Sequence, residues 1–442
     1  MESAPARVRK INLYGKRLLI PMMHPFGAPL LAACFRAFGV DAVVMDTYKG
    51  LFLGKEYTSS KECFPCQITL GDVLFFLKHE KQRLGEEFRA CDYVYFMPES
   101  DGPCRFGMYN KMQRIVLDTI AEFKDINVSY LSTEDSYDCG EILPLRDAGE
   151  FKKLAYLASI VGDVLDRIVL RARPYERKKG STDRLASASL DRIISIIEEE
   201  GRNIPLSLLL EEVSRTAREA ASLMDTLERR PQIGIVGEIY VRSHPWSNEH
   251  LIRKIEAYGG EVTNATVGEW LNFVSFENFR KLKREIEKQV REARWISLFS
   301  LWKGWLSHFL ERYYQRQKQR QIYEAALAYL DIHPDHPVEE LREILEREGL
   351  YSFEVGTEAC LSIAGAIKYI EEGFDGIINV FPFTCMPSTI CSAILRPVLR
   401  ERRIPYLDSP HDGTIQPGRE LALRTFMYQA LLRCKSKKGG RG

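Results

Sequence analysis

The chain has 442 residues, 45% of them apolar, with 62 Lys and Arg against 61 Asp and Glu for a formal net charge of +1. That length allows two to four domains with ordinary cores, and the charge balance excludes a global field that would draw in nucleic acid or an anionic membrane. No uninterrupted apolar stretch reaches the roughly 18 residues of a membrane span, and the opening "MESAPARVRK" has no signal core. The expectation is a cytoplasmic protein, in which the ten cysteines read as buried residues, metal ligands or redox thiols.

In chain order, "KRLLIPM" (16–22) reads as a buried strand, "GAPLLAACFRAFGV" (27–40) as a helix and "DAVVMD" (41–46) as the next strand. "CDYVYFMPES" (91–100) and "INVSYLS" (126–132) read as two more strands. Strands alternating with helices predict a parallel sheet covered on both faces. Between 148 and 230 the periodicity is helical throughout, broken at Pro174 and "YERKKGSTD". The α/β pattern restarts with "QIGIVGEIYV" (232–241) as a strand and "EHLIRKIEAYGG" (249–260) as a helix ending in glycines, with Asn248 as its cap. "DGIINVFPF" (375–383) and "IPYLD" (404–408) are strands flanking the helix "STICSAILRPVLR" (388–400).

The fold class is therefore α/β, with two doubly wound parallel-sheet domains, a helical connector and a helical insertion. The expected layout is a first α/β domain at 12–147, the connector at 148–230, a second α/β domain at 231–434 with an insertion at about 274–350, and a disordered tail at 435–442.

Three cysteines recur in one setting. Cys66 closes "CFPC" ahead of the helical "QITLGDVLFFLKHE". Cys104 lies in "PESDGPCRFGMYNKMQRIVLDTI" and Cys385 in "INVFPFTCMPSTICSAIL", each after a strand and before a helix. That edge of a doubly wound sheet is where ligands collect. Free N–H groups and the positive helix end lower a thiol's pKa there and donate hydrogen bonds to thiolate or sulfide. Pro65, Gly102, Pro103 and Pro387 suit such turns. Cys63 is a further candidate, left open by the direction its side chain takes relative to Cys66, and Cys360 in "GTEACLSIAGA" is another, opening a helix after a short strand. Cys34, Cys91, Cys139, Cys391 and Cys434 read as small buried hydrophobes.

Four segments in order, "YTSSKECFPCQITLGD", "GPCRFGMYNKMQR", "GIVGEIYVR…NEHLIRKIEAYGGEV" and "GIINVFPFTCMPSTI", closely resemble the 2-hydroxyglutaryl-CoA dehydratase component D-like proteins. That group includes double-cubane cluster proteins and the region after the ATPase domain of large fused acyl-CoA dehydratase activases. The resemblance spans about 12–430. It implies two flavodoxin-like domains holding an iron–sulfur cluster, of the 4Fe–4S or double-cubane type, in the cleft between them. It also implies three cysteine ligands, matching Cys66 (or Cys63), Cys104 and Cys385, and a low-potential electron-transfer role in anaerobic metabolism. The extra thiols a double cubane needs would come from Cys63 and Cys360. No phosphate loop of the GxxxxGK[ST] type is present, so the resemblance implies a separate ATP-hydrolysing activator. A homo- or heterodimer is expected as well.

Other features carry weaker signals. Trp295, Leu298, Trp302, Trp305 and Phe309 follow helical spacing and read as core or subunit interface before a membrane face. His333 and His336 in "DIHPDHPVEELREIL" give a weak metal signal beside a plain helix start. His411 and Asp412 read as a turn. Glu238 and Arg242 are candidate substrate contacts, and Arg105 either offsets the charge of a reduced cluster or forms a surface ion pair. The competing functions are a non-catalytic cluster carrier or scaffold, and a thiol–disulfide oxidoreductase using Cys63 and Cys66.

Overall fold

Short β-branched and aromatic runs, each handing over to a helix, build two parallel sheets. The computed structural model describes residues 13–439 apart from 60, 101, 130, 134–136, 138, 140–142, 226–227 and 293–294. The reading of the N-terminal segment lies outside these residues, as do the last three residues of the chain.

The first half runs β1 (Arg17–Ile20), α1 (Gly27–Ala37), β2 (Asp41–Val44), α2 (Leu51–Glu56), α3 (Phe64–Leu84), β3 (Tyr93–Phe96), α4 (Tyr109–Thr119) and β4 (Asn127–Ser129). Then come α5 (Leu145–Ala172), α6 (Ser181–Glu200) and α7 (Leu206–Leu223). The second half runs β5 (Gln232–Gly237), α8 (Ile239–Ser243), α9 (Leu251–Ala257), β6 (Glu261–Asn264), α10 (Val267–Arg291), α11 (Trp295–Leu327) and α12 (Val338–Glu348). It ends with α13 (Glu358–Glu371), β7 (Gly376–Pro382), α14 (Met386–Glu401), β8 (Tyr406–His411) and α15 (Pro417–Gly439).

The two four-stranded sheets are wound alike, in the orders β2-β1-β3-β4 and β6-β5-β7-β8, every pair parallel. Strands β3, β6 and β7 are buried along their whole length, because helices cover both faces of a parallel sheet. The connector helices share the first sheet's core: Ile193, Leu209 and Val213 pack in one cluster with Leu18, Ile20 and Val94. Among the described residues, no helix is long and apolar enough to cross a membrane.

Several elements differ from the sequence reading. The strand expected over 232–241 stops at Gly237, whose φ of +114° turns the chain. Glu238 then caps α8, its carboxylate accepting from the Tyr240 and Val241 N–H groups at 3.0 and 2.8 Å. The insertion begins at Val267, because Thr266 caps α10 through the Glu269 N–H at 3.1 Å. A helical turn (Phe353–Val355), not a strand, precedes Cys360. The tail is helical to Gly439: α15 buries Phe426, Met427, Ala430 and Cys434, and Lys437 Nζ donates to Asp375 Oδ1 at 2.7 Å. In α11, Trp305 stacks on Phe309 at 5.6 Å and leans on Phe279 of α10, while Trp302 stays half-exposed.

Candidate functional site

Parallel strands deliver their C-terminal ends to one edge, and ligands collect where strand order reverses. In the first sheet that point lies between β1 and β3, and in the second between β5 and β7. The loops from these points enclose one cavity of about 740 Å³. Cys63, Cys104 and Cys385 all line it, together with Arg105, Glu238 and Glu358.

Each thiol is placed by a strand-to-helix turn. Cys63 immediately precedes α3 and holds a φ of +96°, a conformation costly for a residue with a Cβ. Pro65 follows in the first helical turn. Cys104 precedes a tight turn (Arg105–Met108) leading into α4. Cys385 precedes α14, next to Thr384 at a φ of +65°. Strained backbone thus stands at two of the three thiol turns, as is common where structure serves a site.

The approach of α2 to α3 fixes the first arm. A Cβ on Gly71 would lie 2.2 Å from the Gly50 carbonyl oxygen, and one on Gly54 would lie 1.9 Å from that of Gln67. Only glycine permits this contact, which seats the start of α3 against the preceding loop.

Arg105 ties the three turns together. Its guanidinium donates to the Thr384 carbonyl at 2.9 Å and to the Lys61 carbonyl. Those carbonyls flank Cys385 and Cys63, and Arg105 itself follows Cys104. Carbonyl oxygens, not a carboxylate, accept from this arginine, so the surface ion pair, one of its two readings, does not form among the described residues.

Burial dominates the electrostatics. It pushes the Cys63 thiol up to about 12, with the charge of Glu238 adding to it and the Tyr109 hydroxyl and Arg105 opposing. Cys385 rises to about 12 by burial and then Glu238, and Cys104 rises by burial and then Glu358. The helix-start setting, expected to lower these pKa values, is outweighed. Glu358 is pushed up to about 8, first by burial and then by the charge of Glu238. Glu238 rises by burial too.

The other candidates fall elsewhere. Cys66 lies one turn into α3, outside the cavity lining, its Sγ 3.8 Å from Gln113 Nε2 and 4.0 Å from Met112 Sδ. Cys360 is buried in the second core with its Sγ 3.8 Å from the Ser352 carbonyl. Arg242 is buried and donates to the Gly237, Ala265 and Thr266 carbonyls, so it builds the turn and does not face the cavity. Asp412 accepts from the Thr414 N–H at 2.9 Å, and His411 meets Ser409 at 3.0 Å, which is the turn reading. Cys91 is half-buried between Arg89 and Asp92, not a core residue. Cys139, read only as a hydrophobe, lines the cavity. Glu358 and Tyr109 had no sequence signal, being ordinary residues near helix starts.

The donor set fits a thiolate-held group. Three cysteines from both halves face one space, with a guanidinium to offset anionic charge and one carboxylic acid, Glu358, pushed up to about 8. Among the described residues, only His333, His336 and Glu372 bring three metal-ligating atoms within 4.8 Å of one another, so the cleft thiols are spread more widely. A single tetrahedral zinc, with Zn–S bonds of about 2.3 Å, would draw its sulfurs to roughly 4 Å.

Fold and site together define a two-sheet α/β protein with a thiol-lined cleft at the paired switch points. No protein-family model matches the chain, and no curated protein matches it.

Proposed function

We propose that this chain is an iron–sulfur protein resembling 2-hydroxyacyl-CoA dehydratase components, holding a 4Fe–4S-type cluster through Cys63, Cys104 and Cys385. Its role is in low-potential, ATP-activator-dependent reduction or dehydration, in the cytoplasm. The observation that carries this reading is the convergence of three strand-to-helix cysteines from two sheets on one cavity.

When bound, such a cluster supplies one-electron chemistry at potentials reaching about −700 mV. The chain's own residues prepare the space. Tyr109 lines the cavity with Cys63, and its hydroxyl favours the thiolate form of that cysteine. Apolar side chains such as Phe96, Phe106, Trp270 and Val274 line the cavity and exclude water from it. Glu358, pushed up to about 8, keeps its carboxyl proton at neutral pH beside the cavity and is placed to deliver it. Electrons come from a separate activator, and a dimer forms over the exposed side chains of α11, among them Trp302, Phe309 and Tyr313. The thiol–disulfide alternative is disfavoured, because Cys66 packs against Met112 and Gln113 outside the cavity that Cys63 lines, and it leaves Cys104 and Cys385 without a role.

Anaerobic reconstitution with iron and sulfide, followed by iron analysis and EPR, tests the proposal. Wild-type protein should turn brown and give a cluster signal on reduction. Cys63→Ser, Cys104→Ser and Cys385→Ser should each lose most of the iron, while Cys34→Ser and Cys434→Ser keep it. Colourless wild-type protein, or equal loss in all five variants, overturns it. A cluster without ATP-dependent turnover would leave the carrier role.

A further inference from the structure

At the far end of α13 lies a second group of metal-ligating side chains, unrelated to the cleft. The helix has 14 residues, so at 1.5 Å per residue its ends are about 20 Å apart. Glu358 at its start faces the cavity; Glu372 closes its end.

Two histidines converge on Glu372. His333 Nε2 lies 2.8 Å from Glu372 Oε2, and His336 Nε2 lies 3.0 Å from the same oxygen. Two other buried histidines, His24 and His244, are used differently. His24 Nδ1 accepts from the Phe26 and Gly27 N–H groups, and His244 Nδ1 accepts from that of Ser247. Those bonds fix a structural tautomer. Among the described residues nothing bonds His333 Nδ1, so no hydrogen bond there prevents that nitrogen from carrying the proton and leaving Nε2 as a ligand.

The loop that carries the histidines is held from behind. Asp335, between them, accepts from Arg167 at 3.1 Å, Thr266 at 2.8 Å and Gln319 at 2.9 Å. Pro334 and Pro337 restrict the backbone beside each imidazole. Tyr369 presents its ring edge-on to both imidazoles, at 5.5 and 5.4 Å. The ligand atoms are therefore preorganised, which keeps the ordering cost of binding low.

The setting also calls for a cation. The C-terminal end of a helix carries partial negative charge and disfavours carboxylates. This one ends in Glu371 and Glu372. Arg347 pairs with Glu371, and Lys368 stands 3.7 Å from Glu372 Oε1 while bonded to Glu340. Oε2, the oxygen both histidines face, has no Lys or Arg partner among the described residues, so the two imidazoles and this oxygen converge on one point.

We propose that His333, His336 and Glu372 form a binding site for a divalent transition-metal ion of the Zn²⁺ class. Two imidazole nitrogens and one carboxylate oxygen suit zinc, cobalt or nickel, whereas magnesium and calcium favour all-oxygen sites. Zinc bonds of about 2.0–2.1 Å place tetrahedral ligand atoms about 3.3 Å apart. The present separations of 2.8 and 3.0 Å need only a few tenths of an ångström of opening. Side-chain exposures of 23% for His333 and 29% for Glu372 leave room for water at the remaining position. The ion clasps the loop between α11 and α12 to the end of α13.

The full chain, stripped with chelator and titrated anaerobically with Zn²⁺, tests this. Wild-type protein should bind one more equivalent than His333→Ala or Glu372→Gln. Zinc-edge X-ray absorption should show that equivalent in a nitrogen and oxygen shell. Loss of one direct ligand should weaken binding by about 100-fold or more, since even outer-shell changes cost about 10–100-fold. Zn²⁺ should raise the thermal midpoint of wild-type protein by mass action, and by more than it raises that of either variant. His333 and Glu372 are partly exposed, so these variants keep the fold, which circular dichroism verifies. Equal uptake by all three proteins, a purely sulfur shell, or no uptake by wild type overturns the site.

Discussion

The guanidinium of Arg105 donates to the main-chain carbonyl of Thr384 at 2.9 Å, joining the turn behind Cys104 to the turn ahead of Cys385. A second donation, to the Lys61 carbonyl, reaches the Cys63 turn. One side chain thus sets the mutual position of thiols carried by two sheets. Arg105→Ala should cut iron incorporation severalfold on anaerobic reconstitution. Its stability cost should stay near the low end of the about 1.5–3 kcal/mol range for hydrogen bonds to a charged group, since the residue is half-exposed. Arg105→Lys keeps the charge but not the planar fork, so it should restore little. Full iron content in Arg105→Ala would show that the thiol turns hold their places unaided.

Cys63 and Cys66 can be separated by single substitutions. Cys63 lines the cavity, whereas Cys66 packs against Met112 and Gln113. Cys66→Ala should retain more than half of the wild-type iron, with modest destabilisation from the lost sulfur packing. Cys63→Ala should retain almost none. The reverse ranking in iron analysis would mean that Cys66 turns inward when the cluster forms.

The glycine contact between α2 and α3 gives a stability prediction with its own control. Gly71→Ala places a methyl 2.2 Å from a backbone oxygen, which the helices can relieve only by separating. A loss of about 1–3 kcal/mol or more in denaturant unfolding is expected, with weaker cluster binding because α3 carries Cys63. Gly149→Ala, within α5 and with nothing within 4 Å, should instead be neutral or stabilising by up to about 1 kcal/mol. Equal effects of the two substitutions would remove the packing argument.

Much of this architecture is written in local sequence. Buried parallel strands are continuous apolar runs, so β1, β3, β5 and β7 stand out, and the cysteines after strands mark the sheet edge where the cavity forms. Less legible was anything set by tertiary contact. Strand β6, "EVTN", is too short and polar to announce itself; it pairs with β5 because α9 delivers it there. The end of β5 at Gly237 depends on the nearby Val380 carbonyl. The choice between Cys63 and Cys66 is set by what each meets in the fold, the cavity for Cys63 and Met112 with Gln113 for Cys66. Glu358 reaches the cleft only because the long insertion returns the chain to the start of α13.

A proton-sensitive link joins the two halves through His244, Thr47 and Asp72. His244 Nδ1 accepts from the Ser247 N–H, so Nε2 carries the proton and donates to Thr47 Oγ1 at 3.0 Å. Thr47 in turn donates to Asp72 Oδ2 at 2.7 Å. Burial pushes His244 down to about 3 and Asp72 up to about 7, the latter against hydrogen bonds from Thr47 and Tyr48. The two shifts act in opposite directions. As pH falls below about 6.5, an unfolded histidine gains a proton that folded His244 refuses, so acid lowers stability. As pH rises above about 4, an unfolded aspartate loses a proton that folded Asp72 keeps until about 7, so alkali lowers stability over that window. Between about pH 4 and 6.5 the two slopes, each at most about 1.4 kcal/mol per pH unit, largely cancel in the wild type. Urea unfolding across this window should therefore show Asp72→Asn losing stability as pH falls, relative to wild type, and His244→Gln losing it as pH rises. Parallel pH profiles for all three proteins would show that neither group is shifted and would break the proposed link.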